Sequence, residues 1–214
     1  MREHVPMPRT QDVAAARQAF GHMTGSLVGR RLVAVHYWDI LNFGEEPRTW
    51  DYGDWHHAVM GVELTTDAGP RSILWTDTFF PYGVEVFADP ISEHVHLGPG
   101  GPEGWSATAH ALWQARTEHP IQAVSAFWEH IEVGPGRLSD GSVVSPAESH
   151  DVPVALRLDF ASGPVWFVAG QPGYPDMDNV FIPGDEIMVV FSSAKMRAIG
   201  FLDDHFTAAD RSDG

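Results

Sequence analysis

The hydrophobic and polar residues of this chain follow a similar order twice. Residues 32–41 (LVAVHYWDIL) align with residues 122–131 (QAVSAFWEHI) at an offset of 90 positions, so that Tyr37 matches Phe127 and Trp38 matches Trp128. Later matches at offsets of 94 and 102 are Val62 with Leu156, Leu64 with Leu158, Gly69 with Gly163, Pro70 with Pro164, Phe79 with Phe181 and Pro81 with Pro183. Most matched positions are apolar or turn residues, so the pattern predicts a duplicated architecture with loop insertions.

The first half predicts a helix followed by four strands. Thr10 is a suitable N-cap for a helix with one apolar face, and Gly29 suits its C-terminal cap. Residues 31–41 have the β-branched and aromatic composition of a strand that is covered on both faces. The other predicted elements are three strands and a short helical turn, at 57–66, 71–77, 84–87 and 91–97.

The second half predicts the same order of elements. Ser106 is the predicted N-cap of a helix that ends before Pro120. Residues 134–151 are rich in glycine, serine and charged side chains, and we predict a loop there. The remaining elements are four strands and a short helix, at 121–133, 154–160, 165–169, 186–191 and 193–200.

These elements predict an α+β fold with a mostly antiparallel sheet, because the strands are joined by short hairpin connections. The repeated helix–four-strand–short-helix unit predicts a pseudo-two-fold arrangement within one compact domain. The predicted segments are a flexible N-terminus at 1–9, a first repeat at 10–98, a Gly/Pro linker at 99–104, a second repeat at 105–203 and a flexible C-terminus at 204–214. A cleft near the axis is the expected ligand site.

Composition and charge exclude several classes of function. The formal net charge is −16, from 13 basic and 29 acidic residues. This charge repels nucleic acids and anionic membranes, and it attracts a basic protein or a cationic small ligand. The chain contains no cysteine, which excludes disulfides and thiolate metal sites. We expect a soluble, cytoplasmic protein that binds neither nucleic acid nor membrane, and the sequence leaves its oligomeric state open.

An acidic, tryptophan-rich segment at 37–57 has no counterpart in the second half, where residues 131–152 contain no aromatic side chain. Aromatic rings and carboxylates together suit binding to a basic partner. We therefore predict an intracellular interaction protein, by analogy with immunity proteins that neutralise a basic toxin. The predicted binding residues are Trp38, Glu45, Glu46, Trp50, Asp51, Asp54, Trp55 and His56. A purely structural role, in which the tryptophans anchor a long loop, stays open.

A second hypothesis is a small-molecule pocket between the duplicated sheets. The candidate catalytic residues at its mouth are His36, Tyr37, Asp39 and His57, which combine general bases with a phenol. The sequence contains no motif that would distinguish an enzyme from a binding protein.

The histidines do not follow a recognisable metal-binding pattern. His94 and His96 alternate, but the internal alignment places them in a helical turn, where residues two apart point in different directions. The His-Glu-x-x-His motif does not occur in the sequence. Residues 174–179 resemble a calcium loop only superficially, because the glycine at position six and the distant glutamate are missing. The sequence therefore predicts no metal site and no cofactor.

Overall fold

The computed structural model describes residues 13–40, 49–76, 78–95, 102–117 and 119–209. Three α-helices lie in these ranges: α1 at Val13–Gly25, α2 at Ala111–Thr117 and α3 at Ser193–Ala198. Two short 3₁₀ turns occur at Ile91–Glu93 and Asp203–His205. None of the helices in the described ranges has the length and apolar character that crossing a membrane requires.

Strands dominate the described residues. They are β1 Leu32–Ile40, β2 Trp55–Val59, β3 Gly61–Thr66, β4 Gly69–Leu74, β5 Glu85–Phe87, β6 Pro102–Ser106, β7 Ala123–Val133, β8 Gly136–Arg137, β9 Val143–Ser145, β10 Glu148–Asp159, β11 Val165–Ala169, β12 Gln171–Pro172, β13 Val180–Phe181, β14 Ile187–Val190 and β15 Thr207–Ala208. Few helices and many antiparallel pairs make this a mixed α+β fold, as the sequence predicts.

Eleven of these strands form one sheet. The order is β15-β7-β10-β11-β14-β2-β1-β3-β4-β5, and β6 pairs with β1 outside this path. Two runs of four antiparallel strands, β7-β10-β11-β14 and β1-β3-β4-β5, are joined by β2. The sheet curls, because Ile121 beside β7 exchanges backbone hydrogen bonds of 2.8 Å with Gly29 and Arg30 beside β1.

The centre of the sheet is covered on both faces. Every residue of β2, β11 and β14 is buried. Strands β11 and β14 are accordingly apolar throughout, whereas β2 also carries two buried histidines, His56 and His57. Helix α1 packs against the sheet through Ala16 and Phe20, and the Phe20 ring makes edge contacts with Phe80 and Trp128. The predicted strand at 165–169 is confirmed with its bounds.

A sharp corner divides the predicted strand at 57–66 into β2 and β3. Val59 has a φ of 49° and Gly61 a φ of 158° on either side of Met60. A Cβ atom at Gly61 would lie 2.6 Å from the Ile73 carbonyl oxygen, so the close approach of β4 requires glycine there. The corner turns the chain from its pairing with β14 to its pairing with β1.

The predicted helix cap at Ser106 is wrong. Ser106 ends β6, which pairs with β1, and the following Ala107 N–H donates to the Val35 carbonyl at 2.9 Å. The Thr108 hydroxyl also accepts from the Val35 N–H. Because β1 takes these backbone groups, the helix starts only at Ala111. Strand β6 also includes part of the predicted linker at 99–104.

Two predicted loops contain regular structure. The predicted loop at 134–151 holds the exposed β8–β9 hairpin and the beginning of β10. The predicted flexible end at 204–214 includes β15, which pairs with β7. The predicted helix cap Thr10, together with residues 96–97 of the predicted turn, lies outside the described residues.

A buried carboxylate organises the loop before β5. Both Glu85 oxygens accept hydrogen bonds: one from the backbone N–H groups of Phe79 and Phe80, the other from Thr78 N–H and the Thr76 hydroxyl. Burial raises the pKa of the Glu85 carboxyl, and these hydrogen bonds act in the opposite direction. The loop therefore depends on an acceptor with two oxygens.

Replacing Glu85 by glutamine is expected to destabilise the fold. The amide nitrogen cannot accept the hydrogen bonds that one carboxylate oxygen receives, so buried donors lose their partner. We expect the free energy of unfolding to fall by about 1–3 kcal/mol in urea denaturation. The exposed Glu93→Gln variant is the control. Equal stability of the two variants would show that Glu85 does not organise the loop.

Candidate functional site

Residues 49–57 form a small hairpin that leads into β2. The Tyr52 N–H donates to the Trp55 carbonyl at 3.0 Å, and the His57 N–H donates to the Trp50 carbonyl at 2.8 Å. Asp51 lies opposite His56 in an isolated antiparallel bridge. Directly opposed residues of an antiparallel pair project to the same side, so the two side chains approach each other.

A third polar side chain reaches this pair from the turn before α2. His110 donates its backbone N–H to Ala107, and its carbonyl accepts from Trp113 at 2.9 Å. Its ring packs edge-on against His56, with centroids 4.4 Å apart. We call Asp51, His56 and His110 the His–Asp cluster.

The cluster has the dimensions of a metal site. The His110 Nε2 atom lies 3.2 Å from Asp51 Oδ2, and the His56 Nε2 atom lies 3.7 Å from Asp51 Oδ1. All three candidate ligand atoms are within 4.8 Å of one another. A tetrahedral zinc ion with bonds of about 2.0–2.2 Å separates neighbouring ligand atoms by roughly 3.3–3.6 Å. Small adjustments of the side chains would therefore bring the ligands into place.

His56 is the most constrained member of the cluster. Its side chain is completely buried. Its Nδ1 atom lies 2.7 Å from the Tyr37 hydroxyl, which also accepts a hydrogen bond of 2.5 Å from Trp113 Nε1. Its Nε2 atom, on the Asp51 side, has no hydrogen-bond partner among the described residues. A buried polar atom without a partner costs free energy, so a ligand that binds this atom would stabilise the site.

Burial also sets the protonation of the cluster. Desolvation, followed by the neighbouring His110, lowers the pKa of His56 from 6.5 to about 4, although Asp51 acts in the opposite direction. The pKa of Asp51 is lowered, chiefly by the Gly53 N–H that donates to its carboxylate. Burial raises the pKa of Tyr37 well above its ordinary value. At neutral pH, His56 is therefore a neutral imidazole, Asp51 is a carboxylate and the neighbouring Tyr37 is a neutral phenol.

The hydrogen bond to Tyr37 determines which nitrogen of His56 can bind a metal. If the Tyr37 hydroxyl donates to Nδ1, the Nε2 atom carries the proton. If Nδ1 carries the proton and donates to the Tyr37 oxygen, Nε2 offers its lone pair. The phenol oxygen has two acceptor positions, enough for Trp113 and for Nδ1 together. A metal ion at His56 Nε2 would require this second tautomer.

Aromatic side chains surround the cluster on its protein side. The Trp50 ring lies 4.9 Å from the His56 ring and 5.8 Å from the His110 ring, and Phe191 lies 4.8 Å from His56. The opposite side is open, because Asp51 has 43% and His110 24% of its side-chain surface exposed. The cluster is therefore a concave site that aromatic rings shield from water on one side and that is open to solvent on the other.

The structure brings together four of the predicted site residues: Tyr37, Trp50, Asp51 and His56. Trp55 is buried beneath the Tyr52 ring, and Asp54 is exposed at the hairpin turn. Trp38 packs in a separate cluster with Leu74 and Phe87.

The other candidates lie apart from the cluster or outside the described residues. His36 precedes Tyr37 on β1 and so projects from the other face of the strand, while Asp39 is buried two residues beyond Tyr37. Glu45 and Glu46 are outside the described residues, as is His96. The His94 ring stacks on Phe87, 3.9 Å between centroids.

Sequence reasoning missed His110 and Trp113. His110 lies 59 positions after Asp51 in the chain, and Trp113 lies 76 positions after Tyr37. The only local signal was a histidine within the helix predicted after Ser106. Such a position does not indicate which strand the ring will face.

His57 belongs to a different site from His56. Its Nε2 atom lies 2.6 Å from Glu186 Oε2, at the side of a cleft of about 840 Å³. Successive residues of a strand project to opposite faces, so β2 separates this pair from the His–Asp cluster.

Comparison with known proteins finds no matching family model, no matching curated protein and no matching solved structure.

The metal-free protein is expected to lose stability as the pH falls below 6.5. His56 has a lower pKa in the folded chain, so acid protonates the unfolded chain first. The contribution of neutral His56 to the free energy of unfolding is complete above pH 6.5, and it declines as the pH falls to about 4. We expect a loss of about 2 kcal/mol between pH 7 and pH 5.

Urea denaturation at the two pH values measures this loss. The His56→Gln variant should lack the His56 part of the pH dependence, whereas the exposed control His22→Gln should retain it. An identical pH dependence in both variants would contradict the buried, neutral state of His56.

Proposed function

We propose that the protein binds a divalent transition-metal ion at Asp51, His56 and His110, and that the ion presents an open coordination position to a small oxygen-bearing ligand. The observation that carries this proposal is the completely buried His56 Nε2 atom, which lacks a hydrogen-bond partner among the described residues and faces Asp51. A metal ion satisfies this atom, because a neutral imidazole nitrogen binds a metal through its lone pair.

The donor set favours zinc or a similar first-row ion. Imidazole suits zinc, copper, iron and nickel, whereas calcium and magnesium prefer oxygen ligands alone. Two histidines and one carboxylate are three protein ligands, the number found in catalytic zinc sites that retain a position for water or substrate. The exposed faces of Asp51 and His110 leave room for such a ligand.

Tyr37 and Trp113 act as positioning residues in this proposal. Metal-binding histidines usually donate their second ring nitrogen to an oxygen acceptor, which fixes the ring and its tautomer. The Tyr37 oxygen is in the correct place, 2.7 Å from His56 Nδ1. Trp113 in turn holds the phenol from α2, so the same helix region supplies His110 and the support for His56.

The charge of the chain is consistent with a cation as ligand. A formal charge of −16 produces a negative potential that raises the local concentration of cations. The Asp51 carboxylate, with its lowered pKa, stays ionised and compensates part of the charge of the ion.

An internal duplication is a second part of the proposal. The runs β1-β3-β4-β5 and β7-β10-β11-β14 follow the same chain order, which favours two related halves. Strand β2 lies between them, and the hairpin that leads into it belongs to the segment at 37–57 that has no counterpart in the second half. In this hypothesis, two of the three metal ligands lie in the hairpin and in β2, the strand that joins the two runs of the sheet.

Binding to a basic protein remains an alternative function. The exposed side chains of Asp51 and Asp54 support it. Trp55 and His56 are buried and would reach a partner only through their neighbours. Charge reversal at Asp54, which lies outside the His–Asp cluster, would weaken salt-sensitive binding to a basic protein while leaving metal binding intact.

Zinc binding tests the proposed site directly. We expect tag-free, metal-free protein to bind one Zn²⁺ ion in calorimetric titration with a Kd in the micromolar range or lower. The variants Asp51→Asn, His56→Gln and His110→Gln should each bind at least 100-fold more weakly, because each removes one of three ligands. Asp51 and His110 are partly exposed, so their variants test the site even if His56→Gln fails to fold.

The control for zinc binding is His130→Gln. His130 and Asp151 form an exposed pair, with a distance of 2.7 Å and no third ligand in the described chain. This variant should bind zinc like the original protein. Absence of saturable binding, or equal loss in the control, would refute the site.

Replacing Tyr37 by phenylalanine is expected to weaken zinc binding by about 10–100-fold without changing the number of ions bound. The variant keeps the ring but removes the oxygen that holds His56 Nδ1. Tyr52→Phe is the matched control, since the Tyr52 hydroxyl donates to the Thr49 carbonyl on the other side of the hairpin. Unchanged affinity in Tyr37→Phe would show that the phenol does not orient the ligand.

A further inference from the structure

The cleft beside His57 is independent of the metal site. It lies on the face of β2 that His57 occupies, opposite to His56, and has a volume of about 840 Å³. Its walls come from the hairpin at 49–57, from β12 and β13, and from the loop between these two strands. A cavity of this size accommodates a ligand of one or two sugar rings, since ligand pockets span roughly 300–1,000 Å³.

The cleft contains few titratable side chains. Apart from tyrosines, the titratable side chains among its described lining residues are His57 and Glu186. These two form a direct contact of 2.6 Å, and both are mostly buried. A charged ligand would have to compete with this pair, whereas an uncharged hydroxyl can bond to either partner without separating them. The lining therefore favours a neutral ligand.

Aromatic rings form the floor and rim of the cleft. Tyr52 stacks on Trp55 with centroids 4.3 Å apart and an interplanar angle of 7°, so its ring is held flat. Tyr174 is 92% and Phe181 67% exposed, although both line the cleft. Large exposed rings that converge on one cavity are typical of a binding surface. Ring faces match the C–H faces of a sugar, which bury apolar area without needing a charge.

Polar groups suited to hydroxyls alternate with these rings. The amide side chains of Gln171 and Asn179 line the cleft and offer both donors and acceptors. With His57 and Glu186, they supply four side chains that can bond to ligand hydroxyl groups.

A buried lysine fixes one wall of the cleft. Lys195, the only lysine in the chain, lies over the Trp55 ring at 5.1 Å, and its Nζ atom donates to Asp178 at 2.7 Å. The contact ties the loop that carries Tyr174, Met177 and Asn179 to the Tyr52–Trp55 stack. The loop and the ring stack are thereby connected before a ligand arrives, which reduces the entropic cost of binding.

From this lining we propose that the cleft is a second ligand site, which binds an uncharged sugar of one or two rings. The Tyr52 ring stacks against the sugar face, the exposed rings of Tyr174 and Phe181 contact its edges, and the paired His57 and Glu186 bond to its hydroxyl groups. This site does not depend on the metal ion.

Three sugars that differ in charge test the proposal. Glucose, glucosamine and glucuronate share one ring but are neutral, cationic and anionic at pH 7, and galactose, N-acetylglucosamine and cellobiose extend the neutral set. Ligand-observed NMR with the full chain should show millimolar or tighter binding of at least one neutral sugar. Binding of glucosamine and glucuronate should be at least tenfold weaker than that of glucose or of the best neutral sugar. Absence of binding by every neutral sugar, or tighter binding of a charged one, would overturn the proposal.

Variants of exposed rings locate the binding. Tyr174→Ala and Phe181→Ala should each weaken sugar binding at least tenfold and preserve folding, because both side chains are largely exposed. Leu138→Ala, an exposed apolar residue between β8 and β9, is the control and should bind like the original protein. Zinc affinity should be unchanged in all three variants, so failure of one site is distinguishable from failure of the other. Sugar binding that persists in both ring variants would place the ligand elsewhere and refute the cleft.

Discussion

The pairing of β2 with β14 is the constraint on which both candidate sites depend. This contact joins the two antiparallel runs of the sheet, with His57 opposite Met188 and His56 opposite Val189. A strand in the centre of a sheet has both faces covered, so two consecutive histidines become buried on opposite sides. Each imidazole then needs a partner from a different part of the chain, because buried polar groups without partners are costly.

The two histidines meet this need in different ways. His57 contacts Glu186, the residue directly before β14, so its Nε2 atom has a hydrogen-bond partner within the protein. His56 finds Tyr37 for one nitrogen only, and the other nitrogen faces Asp51 and His110. The low pKa of His56 reflects the free-energy cost of placing a charge on this buried ring. A metal ion would offset that cost, whereas protonation would increase it, and this contrast makes the His–Asp cluster the best candidate for function.

The sequence predicted the apolar strands better than the places where strands meet polar segments. The run at 165–169 is continuous and apolar, and its bounds agree with β11. Ser106 is a residue type that favours a helix cap, yet its backbone pairs with β1 as part of β6. Local propensity gave way to tertiary hydrogen bonding there, as it did at the corner next to Gly61. Neither event leaves a periodic signal in the sequence.

The chain by itself indicated the apolar strands of the sheet and the segment that carries unusual chemistry. Tyr37, Trp50, Asp51 and His56 belonged to the predicted acidic, tryptophan-rich segment, because aromatic and carboxylate side chains in a long connection are visible without a structure. Only the tertiary structure decided that His110 lies beside Asp51 and His56 and that Glu186 pairs with His57. Alternation along a strand shows which side chains share a face, but the order of strands in the sheet decides which distant side chains that face meets.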